Sequence, residues 1–215
     1  SSLTKWALDN FDDPNDDRFS EYAIRKAFTY RDAAGNAPYP ADNLPEGKNY
    51  GDKIYLDWSE DITDDHNGIE EWPFSRKYDW ADPVDPIGNR ESFYDQIYLR
   101  AADTYLLKAE AEFKLGNAGA AANTINILRA RSHASNVLES DIDIDFILDE
   151  RARELMAEEP RRYTLLRTGK WAERTIKYNN RGSSTIDPQR DILLPIPQSV
   201  IDSNLEKEMP QNPGF

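Results

Sequence analysis

Residues 96–116, Gln-Ile-Tyr-Leu-Arg-Ala-Ala-Asp-Thr-Tyr-Leu-Leu-Lys-Ala-Glu-Ala-Glu-Phe-Lys-Leu-Gly, read as one amphipathic helix ended by a glycine. Tyr98, Ala102, Tyr105, Ala109 and Phe113 recur every three or four positions and so share a face. The two alanines among them let a neighbouring helix come close. Gly116 suits the left-handed position that ends a helix, and Asn117 can cap a second helix from Ala118 to about Arg131. In that second helix Ala121, Ile125 and Leu128 keep the period. A connection this short forces the two helices antiparallel, which makes a helical hairpin. Ala109 and Ala121 flank Gly116 at the spacing of one tetratricopeptide-like unit. A generic hairpin produces the same spacing, and spacing alone favours the generic reading.

A third helix is expected from Ser140 or Asp141, its acidic start (Asp141, Asp143, Asp145) matching the positive end of the helix dipole. Ile144, Leu148, Ala152 and Leu155 form its apolar face, and Pro160 either stops it or opens the next helix. Glu150, Glu154 and Glu158 follow one another at intervals of four among Arg151, Arg153, Arg161 and Arg162. Carboxylates in pairs are the equipment of a glycosidase. Arginines this close lower a carboxyl pKa, which is wrong for a general acid, so ion pairs holding helices together are the better reading.

Four motifs in this order resemble the SusD/RagB family. Glu150-Arg151-Ala152-Arg153-Glu154-Leu155, Glu158-Glu159-Pro160-Arg161-Arg162-Tyr163 and Leu166-Arg167-Thr168-Gly169-Lys170 look like its ERRxEL, EGxRxxDL and RxGK signature. Leu99 to Ala111 is similar to LRxAExYLxxAEA. Leu194-Pro195-Ile196-Pro197-Gln198 and Gln211-Asn212-Pro213-Gly214-Phe215 resemble LPIP and the closing QNPGY. Asp12-Asp13-Pro14 to Arg18-Phe19 is similar to the family's DPRF element. Pro160 and Thr164 depart from the usual glycine and aspartate.

The resemblance implies a mostly helical fold on tetratricopeptide-like hairpins, with the glycan site on an irregular side. It implies a lipid-anchored protein on the outer membrane surface of Bacteroidetes-type bacteria. Such a protein captures glycans and passes them to a TonB-dependent channel of the SusC type. By this reading residues 1–215 are a single C-terminal region of the family. Residues 1–95 form the loop-rich ligand side, and residues 96–215 form helical scaffold and closing tail. The N-terminal part of the architecture, with its lipid-bearing cysteine, lies upstream of Ser1, and the closing motif matches the family's terminus.

Forty acidic residues against 26 basic give a net charge of −14. That disfavours nucleic acid and anionic membrane as direct partners. The chain has no cysteine, so disulfides, thiolate metal sites and cysteine nucleophiles are excluded. No apolar run reaches the roughly 18 residues of a membrane-spanning helix. His66 and His133 stand in no triad or metal motif, and the dipole at a helix end explains His133. The acidic turn Asp12–Asp17 reads as solvated, with a calcium site the sharper alternative. Asp61, Thr63, Asp65 and Asn67 alternate like calcium ligands, but His66 sits where that loop needs glycine, so a solvated loop is again the better reading. Lys53 to Trp58 reads as a short strand, and Pro197 opens a last short helix.

Residues 50–94 hold Tyr50, Tyr55, Trp58, Trp72, Phe74, Tyr78, Trp80, Phe93 and Tyr94, a density that points to either sugar stacking or packing under long loops. A flat ring covers the C–H face of a pyranose while nearby carboxylates and amides bond its hydroxyls. The fold class is therefore mainly α, a tetratricopeptide-like hairpin scaffold with a long aromatic, irregular region and at most short strands. The function is non-catalytic glycan capture, with Trp58, Trp72, Tyr78 and Trp80 as ligand contacts and no metal or cofactor. The alternatives are a protein-interaction scaffold on the channel without a sugar site, and then a glycoside hydrolase with paired carboxylates.

Overall fold

The computed structural model describes residues 3–29, 46–60, 72–78, 97–179 and 183–215. Among these the protein is mainly helical, and its strands are at most three residues long. The chain divides into two compact units, Ser1–Glu159 and Pro160–Phe215. The sequence reading placed its internal division at residues 95/96, between loops and helices. The first unit takes in the loop-rich segments before residue 96 together with the helices that follow as far as Glu159.

In the first unit helix α1 (Lys5–Asp9) is capped by the Thr4 hydroxyl, which accepts from the Ala7 amide at 3.2 Å. Strands β1 (Ile24–Arg25) and β4 (Phe74–Ser75) pair antiparallel, Ile24 opposite Ser75. Strands β2 (Ala27–Thr29) and β3 (Lys53–Tyr55) pair antiparallel, Ala27 opposite Tyr55. The strand expected over Lys53–Trp58 thus stops at Tyr55.

Helices α2 (Ala101–Lys114) and α3 (Ala118–Arg131) form the expected hairpin. Gly116 sits at φ 77, and Asn117 caps α3 by accepting from the Ala120 amide at 3.0 Å. Small residues make the crossing: Ala109, Ala121 and Ala122 pack with Ile125, Ile142 and Ile147. Helix α2 begins five residues later than expected. Tyr98 precedes it at a bend, fully exposed, while Leu106 takes a place in the core with Ala102, Leu128 and Leu155. An alanine at Gly116 would meet no neighbouring atom within 4 Å. Only the left-handed backbone opposes it, so Gly116→Ala is expected to cost about 1 kcal/mol in chemical denaturation. An unchanged midpoint would mean that the turn gives way.

Helix α4 (Ile144–Glu154) starts later than Ser140 or Asp141, after a 3-10 turn at Glu139–Asp141. Its cap is Asp143, which accepts from the Phe146 amide at 2.7 Å. The chain then leaves the helix through Ala157, left-handed at φ 62. A second core lies under the loops, where Leu8, Phe11, Ile24 and Trp72 pack with Phe19, Trp58 and Met156.

In the second unit Pro160 opens α5 (Arg161–Arg167), followed by α6 (Trp171–Tyr178) and α7 (Gln198–Ser203), which follows Pro197. The two closing motifs hold each other. The Gln211 side chain donates to the Ile196 carbonyl at 2.8 Å and accepts from its amide at 2.7 Å. Asn212 donates to the Leu194 carbonyl at 2.7 Å. Gly214 is required by contact as well as by φ 91, since a Cβ there would stand 2.6 Å from Cγ of Arg190.

Candidate functional site

Helix α4 and its exit turn present Glu150, Glu154 and Glu158 to cations drawn from across the first unit. Glu150, with 0% exposure, accepts from Arg18 at 2.8 Å, from Arg129 at 2.9 Å and from Arg153 at 2.8 Å. Glu154 accepts from Arg18 at 3.0 Å, Arg100 at 2.7 Å and Arg131 at 2.8 Å. Glu158 accepts from Lys77 and Arg100, both at 2.5 Å. Arg151 turns the other way, to Asp103 at 2.5 Å and Glu159 at 2.7 Å. Ion pairing was the reading of these glutamates from sequence. The partners are mostly distant in the chain, because a helix offers its own arginines only one face while the packed segments supply the rest.

Burial pushes the Glu150 carboxyl up, but Arg153, Arg18 and Arg129 together outweigh it and hold the group below the usual carboxylate range. Glu158 is likewise pushed up by burial and brought below its ordinary value by Arg100 and Lys77. Burial works against the charge of Arg18, yet Asp16 and Glu150 prevail and raise its pKa. Burial also lowers the Lys77 ammonium, against the pull of Glu158.

The acidic turn before Arg18 is solvated at Asp12 and Asp17, as expected, but not throughout. Asp16 is buried and bonds Arg18 at 2.7 Å. Asp13 accepts from the Ser135 amide at 2.5 Å and the Asn15 amide at 3.0 Å, and these bonds hold its carboxyl below the usual range. His133, left-handed at φ 56 just past α3, sets Nδ1 2.6 Å from Asp17. Among the described residues no group of acids and histidines is gathered as metal ligands would be.

Beside this network a cleft of about 540 Å³ opens in the first unit. Its described lining includes Lys77, Tyr78, Arg100, Arg131, Glu154 and Glu158, with Ile24, Ile97 and Met156 as apolar wall. Tyr78, 40% exposed, is the one of the three predicted aromatics among the described residues that reaches it. Trp58 is half-buried and meets Phe19 edge to face with centroids 6.2 Å apart. Trp72 is 1% exposed, and its indole N–H donates to the Leu3 carbonyl at 2.6 Å. Its ring is core and offers no open face to a sugar, so density of aromatics marked packing at this position. Trp80 and the loop at 61–67 lie outside the described residues. The density of aromatics gave no sign of the cleft's cations Lys77, Arg100 and Arg131. The sequence signal for Arg100 was its place in a helix-opening motif, and for Arg131 its place at a helix end.

A family model described as the SusD family matches residues 5–215. Two solved structures match part of the chain. One is BT4246, a Bacteroides SusD-like protein, at 25% identity and TM-score 0.49 over 67% of this chain and 28% of that one. The other is selenomethionine BT4246, at 25% identity and TM-score 0.47 over 67% and 29%. The chain therefore spans less than a third of the length of these structures. No curated protein matches it. Among the described residues no helix is long and apolar enough to cross a membrane.

Proposed function

The chain belongs to the SusD family, and from that premise we propose that it serves non-catalytic capture of a glycan at the cell surface. Delivery is to a TonB-dependent channel of the SusC type, and attachment to the outer membrane is through a lipid anchor. The family is generally glycan-binding and associated with nutrient uptake. The observation that carries the reading to this chain is the cleft with Tyr78 at its wall. An aromatic side chain lines it together with the hydrogen-bond donors Lys77, Arg100 and Arg131, the combination a sugar ring requires. Trp58 and Trp80 stay in the assignment as secondary contacts.

The carboxylates speak for binding over hydrolysis. A glycosidase needs one acid protonated near neutral pH. Glu150 and Glu158 are held below the ordinary range by their arginine and lysine partners, and the Glu154 carboxylate is shared by three arginines. Titration of the protein with a panel of soluble polysaccharides, followed by tryptophan fluorescence, is expected to saturate. Tyr78→Ala is expected to weaken that binding roughly two- to tenfold, the worth of one aromatic contact, with the thermal midpoint unchanged. A flat response across the panel would overturn the glycan reading in favour of a protein-interaction scaffold. Full affinity in the variant would remove Tyr78 from the site.

A further inference from the structure

In a chain of net charge −14 the cleft wall runs against the trend. Among the described residues five cations line it, Arg18, Lys77, Arg100, Arg131 and Arg153, against three acids. The acids are largely spent on internal pairs. Glu154 is buried and Glu158 nearly so, each bonded to guanidinium or ammonium groups. Asp17, the exposed acid of the described lining, is turned to the His133 ring.

The cations are not spent equally. Arg18 is divided among Asp16, Glu150 and Glu154, and Arg153 is taken by Glu150 and Asn10. Arg131 stands apart. It reaches Glu154 through Nη2 alone, at 2.8 and 3.0 Å, onto oxygens that already accept from Arg100 and Arg18. Its side chain is 60% exposed, which leaves Nε and Nη1 open for further bonds. A guanidinium whose counter-charge is shared with two others, in a cleft that Tyr78 also lines, is matched to an anion carried on a ring.

We propose that the glycan taken by this cleft is acidic, with Arg131 pairing its charged group while Tyr78 meets the sugar face. This rests on the glycan reading above and narrows it to a substrate class. The shared chemistry is an anionic substituent, which a uronic acid carboxylate and a sulfate ester both supply. A neutral polymer lacks it.

The test is calorimetric titration of the protein with three probes: an oligogalacturonide, the same oligosaccharide reduced at its carboxyl groups, and dextran sulfate. The oligogalacturonide or the dextran sulfate is expected to bind at least tenfold tighter than the neutral form. The one that does so identifies carboxylate or sulfate as the recognised group. Arg131→Ala is expected to bring that affinity down about tenfold, to the level of the neutral form. Arg131→Lys should restore part of it. The alanine variant keeps its fold because Glu154 retains Arg18 and Arg100, and an unchanged thermal midpoint checks this. Affinity for both the oligogalacturonide and the dextran sulfate no tighter than for the neutral form overturns the inference and leaves glycan capture standing. Saturable binding of neutral members of the wider panel alone does the same. No binding to any glycan ends both readings.

Discussion

Replacing Glu150 with alanine is expected to cost the protein about 3–5 kcal/mol, the range seen when one partner of a buried ion pair is removed. The acid has no solvent access and gathers Arg18, Arg129 and Arg153 on its two oxygens. Deleting it leaves three guanidinium groups facing one another with far less hydration than they would have outside. Glu150→Gln keeps the shape and loses the charge, so it separates repulsion among the arginines from the empty space that alanine leaves. Both variants are expected to shift the denaturant midpoint strongly, and a loss below about 1 kcal/mol in both would mean that water reaches the site. The same network sets a pH dependence. Glu150 and Glu158 have folded pKa values below their unfolded ones. Their stabilisation is complete above the ordinary glutamate value near 4.3 and is lost as pH falls through the lower folded values. Stability is therefore expected to hold from neutral pH down to about 5 and to decline below about 4, and the glutamine variant should decline less steeply.

Trp72→Ala is the second large effect, about 3–5 kcal/mol, from the cavity left when a buried large aromatic is truncated. The ring packs with Leu8, Phe11 and Ile24, and its N–H satisfies the Leu3 carbonyl. The variant therefore loses volume and strands a carbonyl at once. Thermal and chemical denaturation read this directly. A ligand contact would behave in the opposite way, with weakened glycan binding at unchanged stability, and that outcome would return Trp72 to the binding surface.

The helices were legible where short-range signals agree. For α3 the cap Asn117, the end near Arg131 and the period of Ala121, Ile125 and Leu128 all pointed to the same span, and the structure has it. The start of α2 was harder. Tyr98 keeps the helical period by chance of spacing, yet Arg100 is extended and directs its side chain to Glu154 and Glu158. A tertiary ion pair set that boundary, and no local pattern encodes it. The site shows the same division. That the three glutamates would be ion-paired could be read from neighbouring arginines. That Arg18, Arg100 and Lys77 would supply the charge could not, because they lie between 54 and 136 residues away. Among the aromatics, composition is blind to exposure. Trp72 and Tyr78 sit six positions apart, and only packing tells the buried ring from the open one.

The bond from Arg18 to Glu150 joins residues 132 positions apart. It therefore bears on the order in which the first unit assembles. The α2–α3 hairpin closes over a short turn and can form by itself, as local contacts do early. Glu150 has Arg153 beside it from the start, three residues along the same helix. Its charge is fully matched only when the segment around Arg18 has travelled back across most of the unit, and that closure pays the entropy of a long loop. Until then water must stay on the glutamate. The segment around Arg18 thus acts as a latch on the unit, and the acid at the centre of the network is the group whose charge it completes.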